Sequence, residues 1–259
     1  MVGEAAARAL PSSMPRFFRS AVGELAYLNA EPDRWRDAAE VARDPAMNEG
    51  QALDHKVALE RLPAGALAAP NRYAYLDSCA RAGVSAADAG FLPFQILELT
   101  QRLRVGFGLW RRATTRAERS YIEHRIIDDA GVLGHYVADG SQPHHTSVRY
   151  GDPAGGPQPN FHARFEDLYV REQITLAQIR DSMRAAPRVF EALRPEVIAY
   201  LQRTHSQVDT LFALDAVDPF GPLNTAPGHH AFAVARLAAG ATMLRDLWWT
   251  AWVTSAEPD

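Results

Sequence analysis

Apolar residues recur at helical spacing along nearly the whole chain, and no run alternates apolar and polar residues as a half-buried strand requires. The pattern predicts helices over Gly3–Leu10, Pro15–Leu28, Asn71–Ala82 and Phe91–Arg112, then over Arg116–Ala138, Asn160–Ala185, Pro187–Phe212 and His229–Val253. Punctuation rich in Gly, Pro and polar residues falls at Glu31–Asp33, Pro63–Pro70, Ser141–Pro159 and Asp218–Gly228. No internal repeat and no linker divides the chain, so the expectation is a single compact multi-helix, all-α domain over residues 1–259. Ligand-type residues on the long central helices would converge in a groove rimmed by loops.

Composition narrows the class. Hydrophobic residues make up 47%, enough for a sizeable core, and 22% charged residues exclude a mainly disordered chain. The formal charge of -4 gives no general attraction to nucleic acid or anionic membrane, although bound cations would invert the local sign. Cys79 is the only cysteine, so no intrachain disulfide can form, and Lys56 is the only lysine. No apolar run reaches the roughly 18 residues of a membrane span, and the Ala-rich start does not read as a signal peptide. The Met243–Trp252 stretch places Leu244, Leu247, Trp248 and Ala251 at core spacing, which predicts a packed helix rather than a membrane anchor. Tyr73–Tyr75 also reads as core, and His229-His230 as a cap of the last helix.

The candidate chemistry lies between His135 and Glu166. His135 and Asp139 stand i, i+4 on a helical stretch, so both project from one face. Pro143 ends that helix and lets His145 return toward the same point, and His162 and Glu166 repeat the i, i+4 pairing. Neutral imidazole with carboxylate is a donor set that suits zinc. Asp139, placed between two clusters, can bridge a metal pair; two metals roughly 3.5–4 Å apart suit phosphodiester hydrolysis. Five of the nine histidines fall between His124 and His162, which favours a site over scattered pairs; His124 itself reads as structural or as outer support. The Thr146–Pro159 loop, with glycines and prolines between the two ligand pairs, is expected to hang over the metals.

These residues carry a resemblance. His135-x3-Asp139-x5-His145, a variable loop, then His162-x3-Glu166 is similar to the core pattern of the zinc-dependent phospholipase C and S1/P1 nuclease superfamily, and Gln142-Pro143-x-His145 resembles its nuclease branch. Pro32–Arg36 resembles the segment that supplies another zinc carboxylate, implying Asp33, with Asp37 and Glu40 as competitors. Asp54-His55 resembles the segment that supplies another histidine, implying His55. The resemblance then implies the all-α fold of that type, with Asp33, His55, His135 and Asp139 around one zinc and Asp139, His145, His162 and Glu166 around a second. It also implies an exported, periplasmic or secreted protein.

Departures from the pattern sharpen the expectation. The superfamily's third zinc uses an N-terminal Trp and His, but here no Trp precedes Trp35 and no His precedes His55. Two zincs are therefore expected, with a third only if such a segment precedes Met1. Lys56 stands where many relatives carry an aromatic, and is a candidate contact to a substrate phosphate. Arg34 stands where choline-type phospholipases carry a tyrosine. Arg36 matches a nuclease-type arginine that stabilises developing phosphorane charge, and Glu60 is its expected support because Ala58 replaces the usual acid.

The leading expectation is a zinc-dependent phosphodiester hydrolase acting through a zinc-bridged hydroxide, with Asp33 orienting water and Arg36 stabilising charge. Its substrate would be single-stranded nucleic acid, slightly favoured, or a phospholipid head group. A non-catalytic protein whose helices are held by zinc is the competing class. A ferritin-like oxidase would need Glu-x-x-His pairs, which are absent; an HD-type phosphohydrolase needs His-Asp, which Asp54-His55 reverses.

Overall fold

The computed structural model describes residues 1–150 and 160–256, and among these it is all-α, with no strand. The Arg116–Ser141 helix is its axis. It packs against Leu92–Arg112, Pro227–Thr254, Val22–Leu28, Leu193–His205 and Val2–Arg8. Thr115 starts it by accepting from the Glu118 N–H (3.1 Å), while Glu118 accepts from the Thr114 N–H (3.2 Å). Its first half is solvated, with Tyr121 exposed; from Ile126 onward it is nearly enclosed. Small residues permit that enclosure. At Gly131 an added Cβ would lie 2.3 Å from Leu28 Cβ, so only glycine lets the Val22–Leu28 helix come this near.

One hydrophobic cluster runs from Val2 to Ala251, and a satellite gathers Ala66, Tyr75, Cys79, Ala89 and Phe94. Leu244, Leu247, Trp248 and Ala251 are all buried, as the core spacing implied. The Tyr pair divides: Tyr75 is core and Tyr73 is exposed. No described helix is long and apolar enough to cross a membrane.

Several boundaries differ from the pattern. Pro15–Leu28 breaks at Ala21 into Arg16–Ser20 and Val22–Leu28. Asn160–Ala185 breaks at Ile174–Thr175, because Thr175 and Gln178 form a capping box that starts Leu176–Asp181. Helix Pro187–Phe212 begins only at Leu193, since the Arg188 and Phe190 N–H groups donate to Asp246 and Thr250 of the last helix (3.1 and 3.0 Å). Glu31–Asp33 is not a break but part of a helical turn, Glu31–Arg34. Ala38–Arg43 and Pro45–Ala52 are helices that bury nothing, so periodicity could not reveal them; Asp37 and Asp44 cap them. His229 caps the preceding helix, not the last: its Nε2 lies 3.0 Å from Leu214 O and 2.7 Å from Asp218 O.

Candidate metal centre

His135 and Asp139 sit on the last buried turns of the Arg116–Ser141 helix, both facing the same point. Pro143 begins a 3-10 turn, Pro143–Thr146, that carries His145 back to it. His55 arrives from the 3-10 turn Leu53–His55, which backbone bonds stitch in place: Val57 N–H to His145 O (2.8 Å), Leu92 N–H to Lys56 O (3.1 Å) and Phe91 N–H to Leu53 O (2.7 Å). Gly90 makes that crossing possible, with φ of 74° and no Cβ where one would lie 2.1 Å from Lys56 O. His162 lies in Phe161–Ala163 and Glu166 in the π-helical stretch Arg164–Tyr169. Arg164 anchors that segment with two bonds to buried Asp215 (3.0 Å each) and one to Phe220 O (2.6 Å).

The ligand-type atoms fall into two groups: Asp33, His55 and His135, and His145, His162 and Glu166, each with its donor atoms within 4.8 Å of one another. Asp139 stands between them. Its Oδ2 is 3.0 Å from His55 Nδ1 and 3.4 Å from His135 Nε2, while Oδ1 is 3.8 Å from His145 Nδ1. His162 Nε2 and Glu166 Oε2 are in direct contact, and His145 Nε2 is 3.6 Å from the same oxygen. Asp33 is the outermost member, 3.8 Å from His135 Nε2 and 67% exposed at its side chain. Its competitors are occupied elsewhere: Asp37 caps a helix and Glu40 pairs with Arg43.

Ring tautomers point to cation binding. His135 Nδ1–H donates to Asn29 O (2.9 Å), His145 Nδ1–H to His55 O (2.6 Å) and His162 Nδ1–H to Tyr150 O (2.8 Å). With Nδ1–H so engaged, each ring turns its Nε2 inward, where it can bind a metal ion once the ring is neutral. The Nε2 atoms of His145 and His162 are 3.1 Å apart, and His135 Nε2 is 3.0 Å from His55 Nδ1. At the His145–His162 pair two such nitrogens face one another and repel unless a proton or a metal ion lies between them, whereas His55 Nδ1–H is directed at Asp139. The residues present thus form two groups, each of a kind that could hold a metal ion, with Asp139 beside both.

The acid–base state agrees. Burial alone would raise the Asp139 carboxyl, but the charges of His135 and His145 and the bond from His55 hold it below its usual range. Desolvation acts upward on Glu166 too, and His145 and His162 outweigh it; its outer side stays open, with 40% of the side chain exposed. Burial would depress His145, yet Asp139 and Glu166 push it up to about 9. The metal-free cluster accordingly holds a proton where a cation would sit.

His55, His135 and His145 form a buried floor, His162 is half-buried beside them, and Asp33 and Glu166 form an open wall. Beside them lies a cleft of about 560 Å³ lined by Asp33, His135, Asp139, Gln142, Glu166 and Arg236, among others. Arg36 and Lys56 do not line it. Lys56 Nζ lies 5.3 Å over the Tyr150 ring, and the Arg36 charge acts on the Tyr150 phenol through space. Glu60 does not support Arg36; it accepts from Ser147 and from Val148 N–H, and Asn48 Oδ1 accepts from Arg36 Nε (2.9 Å). Arg34 is held at the surface by Glu31 and Tyr27. His124 is exposed on the solvated half of its helix, so neither a structural nor a supporting role fits it. Of the Thr146–Pro159 loop, residues 151–159 lie outside the described residues.

Sequence reasoning missed Asn29, Tyr150, His144 and Arg236. Tyr150 packs edge-on to His145 and His162 (4.9 and 5.2 Å), and burial with the nearby Asp139 raises its phenol to about 12. His144 stacks on His162 at 5.1 Å, kept neutral because burial and the adjacent histidines lower it to about 3. Only His144 carried a signal, as part of the Gln142–His145 segment. Comparison with protein-family models, curated proteins and solved structures finds no match to this chain.

Proposed function

We propose that this protein is a dimetal, zinc-dependent phosphodiester hydrolase. The observation that carries the reading is Asp139, buried with Oδ2 beside His55 and His135 of one group and with Oδ1 3.8 Å from His145 of the other. His55, His135, Asp33 and Asp139 would hold one ion, and His145, His162, Glu166 and Asp139 the other. Bound zinc would supply Lewis acidity toward phosphoryl oxygens and make water a stronger acid. The protein's own part is to hold the imidazoles neutral and aimed through Asn29, His55 and Tyr150 carbonyls. Asp33, the exposed carboxylate at the cleft, would orient water and take its proton. Arg36, steadied by Asn48, lies outside the cleft lining but close enough for its charge to act on Tyr150 beside His145 and His162, and is the candidate for developing negative charge. A purely structural zinc site closes every position around the ion, whereas the open carboxylate wall beside a cleft favours access by a substrate.

The test is hydrolysis of bis(4-nitrophenyl) phosphate by protein stripped of metal and titrated with zinc. Turnover should be absent in the stripped protein and rise with bound zinc until about two ions are held, as a two-metal site requires. A fully zinc-loaded protein inert toward this ester, single-stranded nucleic acid and phospholipid would sink the proposal.

A further inference from the structure

The helices Leu92–Arg112 and Arg116–Ser141 carry a local charge opposite to that of the whole chain. Residues 101–125, which span the turn between them, hold seven arginines and two carboxylates in a protein whose formal charge is -4. Arg102, Arg104, Arg111 and Arg112 lie on the first helix, Arg116, Arg119 and Arg125 on the second, and all are exposed. Among the described residues none of the seven makes an ion pair. Both carboxylates are engaged by neutral donors: Glu118 accepts from the Thr114 N–H (3.2 Å) and Glu123 from Trp110 Nε1–H (2.8 Å). Just beyond, Asp128 is exposed, and Asp129 feels the charges of Arg102 and Arg125 without pairing with either. Unpaired cations at this density repel one another, a cost that an anionic partner would relieve.

Apolar and aromatic groups are set among these charges. Arg102, Val105, Leu109 and Arg112 recur at i, i+3, i+7 and i+10, so one face of the first helix mixes arginine with exposed Val105 and Leu109. Tyr121 is exposed on the second helix. The Arg111 guanidinium lies 3.4 Å from the ring centre of half-buried Trp252, and that of Arg119 lies 5.2 Å from Trp110. Phe17 packs on Trp110 at 5.3 Å and Phe107 on Trp252 at 5.5 Å. Each indole is thus already packed against a guanidinium and a phenyl ring, which leaves little ring surface for a nucleobase to stack on. Arginine among apolar and indole groups suits instead the boundary of an anionic bilayer, where the guanidinium meets lipid phosphate and its stem lies on apolar surface. We propose that this helix pair docks the protein on a membrane surface carrying anionic lipid. The surface is separate from the metal centre: His135 follows Arg116 by nineteen residues of one helix, about 29 Å along its axis. The inference therefore stands apart from the hydrolase reading.

Flotation of the full zinc-loaded chain with vesicles tests the assignment, using pure phosphatidylcholine and a phosphatidylcholine–phosphatidylserine mixture. The patch variant combines Arg104→Gln, Arg112→Gln and Arg116→Gln, three side chains that make no hydrogen bond, so the fold does not depend on them. A charge-matched control combines Arg61→Gln, Arg180→Gln and Arg203→Gln, which are exposed and unpaired on other helices. The unmodified protein should bind the mixed vesicles and not the neutral ones, and release as salt is raised. The patch variant should bind about a hundredfold more weakly, at about fivefold for each basic residue lost. The control should bind like the unmodified protein, and melting temperature and zinc content should be the same in all three. No binding to the mixed vesicles, equal binding to the neutral ones, or a control weakened as much as the patch variant would each overturn the proposal. Oligothymidylate bound more tightly than the mixed vesicles, and released in the patch variant, would assign the surface to nucleic acid and overturn it too.

Discussion

Gly131→Ala couples the packing of the axis helix to the metal centre. The new Cβ would lie 2.3 Å from Leu28 Cβ and 3.1 Å from Leu28 Cδ1. Leu28 Cβ is fixed to its backbone, so relief requires the Val22–Leu28 helix to withdraw by about 1.2–1.7 Å to reach carbon–carbon contact near 3.5–4.0 Å. Asn29 follows directly, and its carbonyl is the 2.9 Å acceptor that fixes His135 Nδ1–H. A withdrawal of that size breaks the bond and frees the ring to turn. Overpacking of this kind costs about 1–3 kcal/mol, offset by the roughly 1 kcal/mol that Ala gains over Gly in a helix, for a net loss of about 0–2 kcal/mol. Zinc affinity should fall further, by about 10–100-fold, as for loss of an outer hydrogen bond to a ligating histidine. Chelator competition measures the affinity and denaturant melts of the metal-free protein measure the stability. Gly23→Ala is the control: it lies in the Val22–Leu28 helix that Gly131→Ala would displace, with nothing within 4 Å of the added carbon, and should leave zinc affinity alone. Gly131→Ala binding zinc as tightly as the unmodified protein would refute the coupling.

The remaining predictions follow from the site's charges. His145 is raised to about 9, above its ordinary value, so its proton stabilises the metal-free fold at low pH and is lost as pH rises through 9. Zinc must displace that proton, so its apparent affinity at pH 7 is reduced by about a hundredfold and rises about tenfold per pH unit toward 9. Calorimetry in buffers of differing ionisation enthalpy should count about one proton released per chain at pH 7 on this account; release of none would contradict it. Arg36→Ala should keep its zinc and lose turnover by about 10²–10³-fold, as for removal of one charge-stabilising donor. Unchanged turnover would make Arg36 a surface residue tied to Asn48. Removing zinc should lower the melting temperature, because an ion held by groups assembled only in the folded chain stabilises the fold; a melting temperature indifferent to chelator would contradict that.

The site was legible where it is local. His135 and Asp139 share one helix face, and Pro143 dictates the return of His145, so spacing alone brings them together. Asp33 and His55 needed the resemblance, because the turns that carry them have no periodic signature. Asn29 acts through a backbone carbonyl, which no side-chain pattern reports, and Arg236 joins the cleft only through the packing of the last helix. Arg36 and Lys56 were singled out by position, and neither lines the cleft: Lys56 lies over the Tyr150 ring and Arg36 is held by Asn48. Helix boundaries were missed where side chains on a distant helix claim backbone N–H groups, as Asp246 and Thr250 do at Arg188 and Phe190.

The central claim is that Asp139 joins two metal sites, and zinc content of the unmodified protein and of Asp139→Asn, prepared without chelator, tests it most directly. Elemental analysis should give about two zinc ions per chain and well below one in the variant, since a shared carboxylate serves both ions. A content near zero in the unmodified protein, or one full zinc retained in Asp139→Asn, would contradict the account.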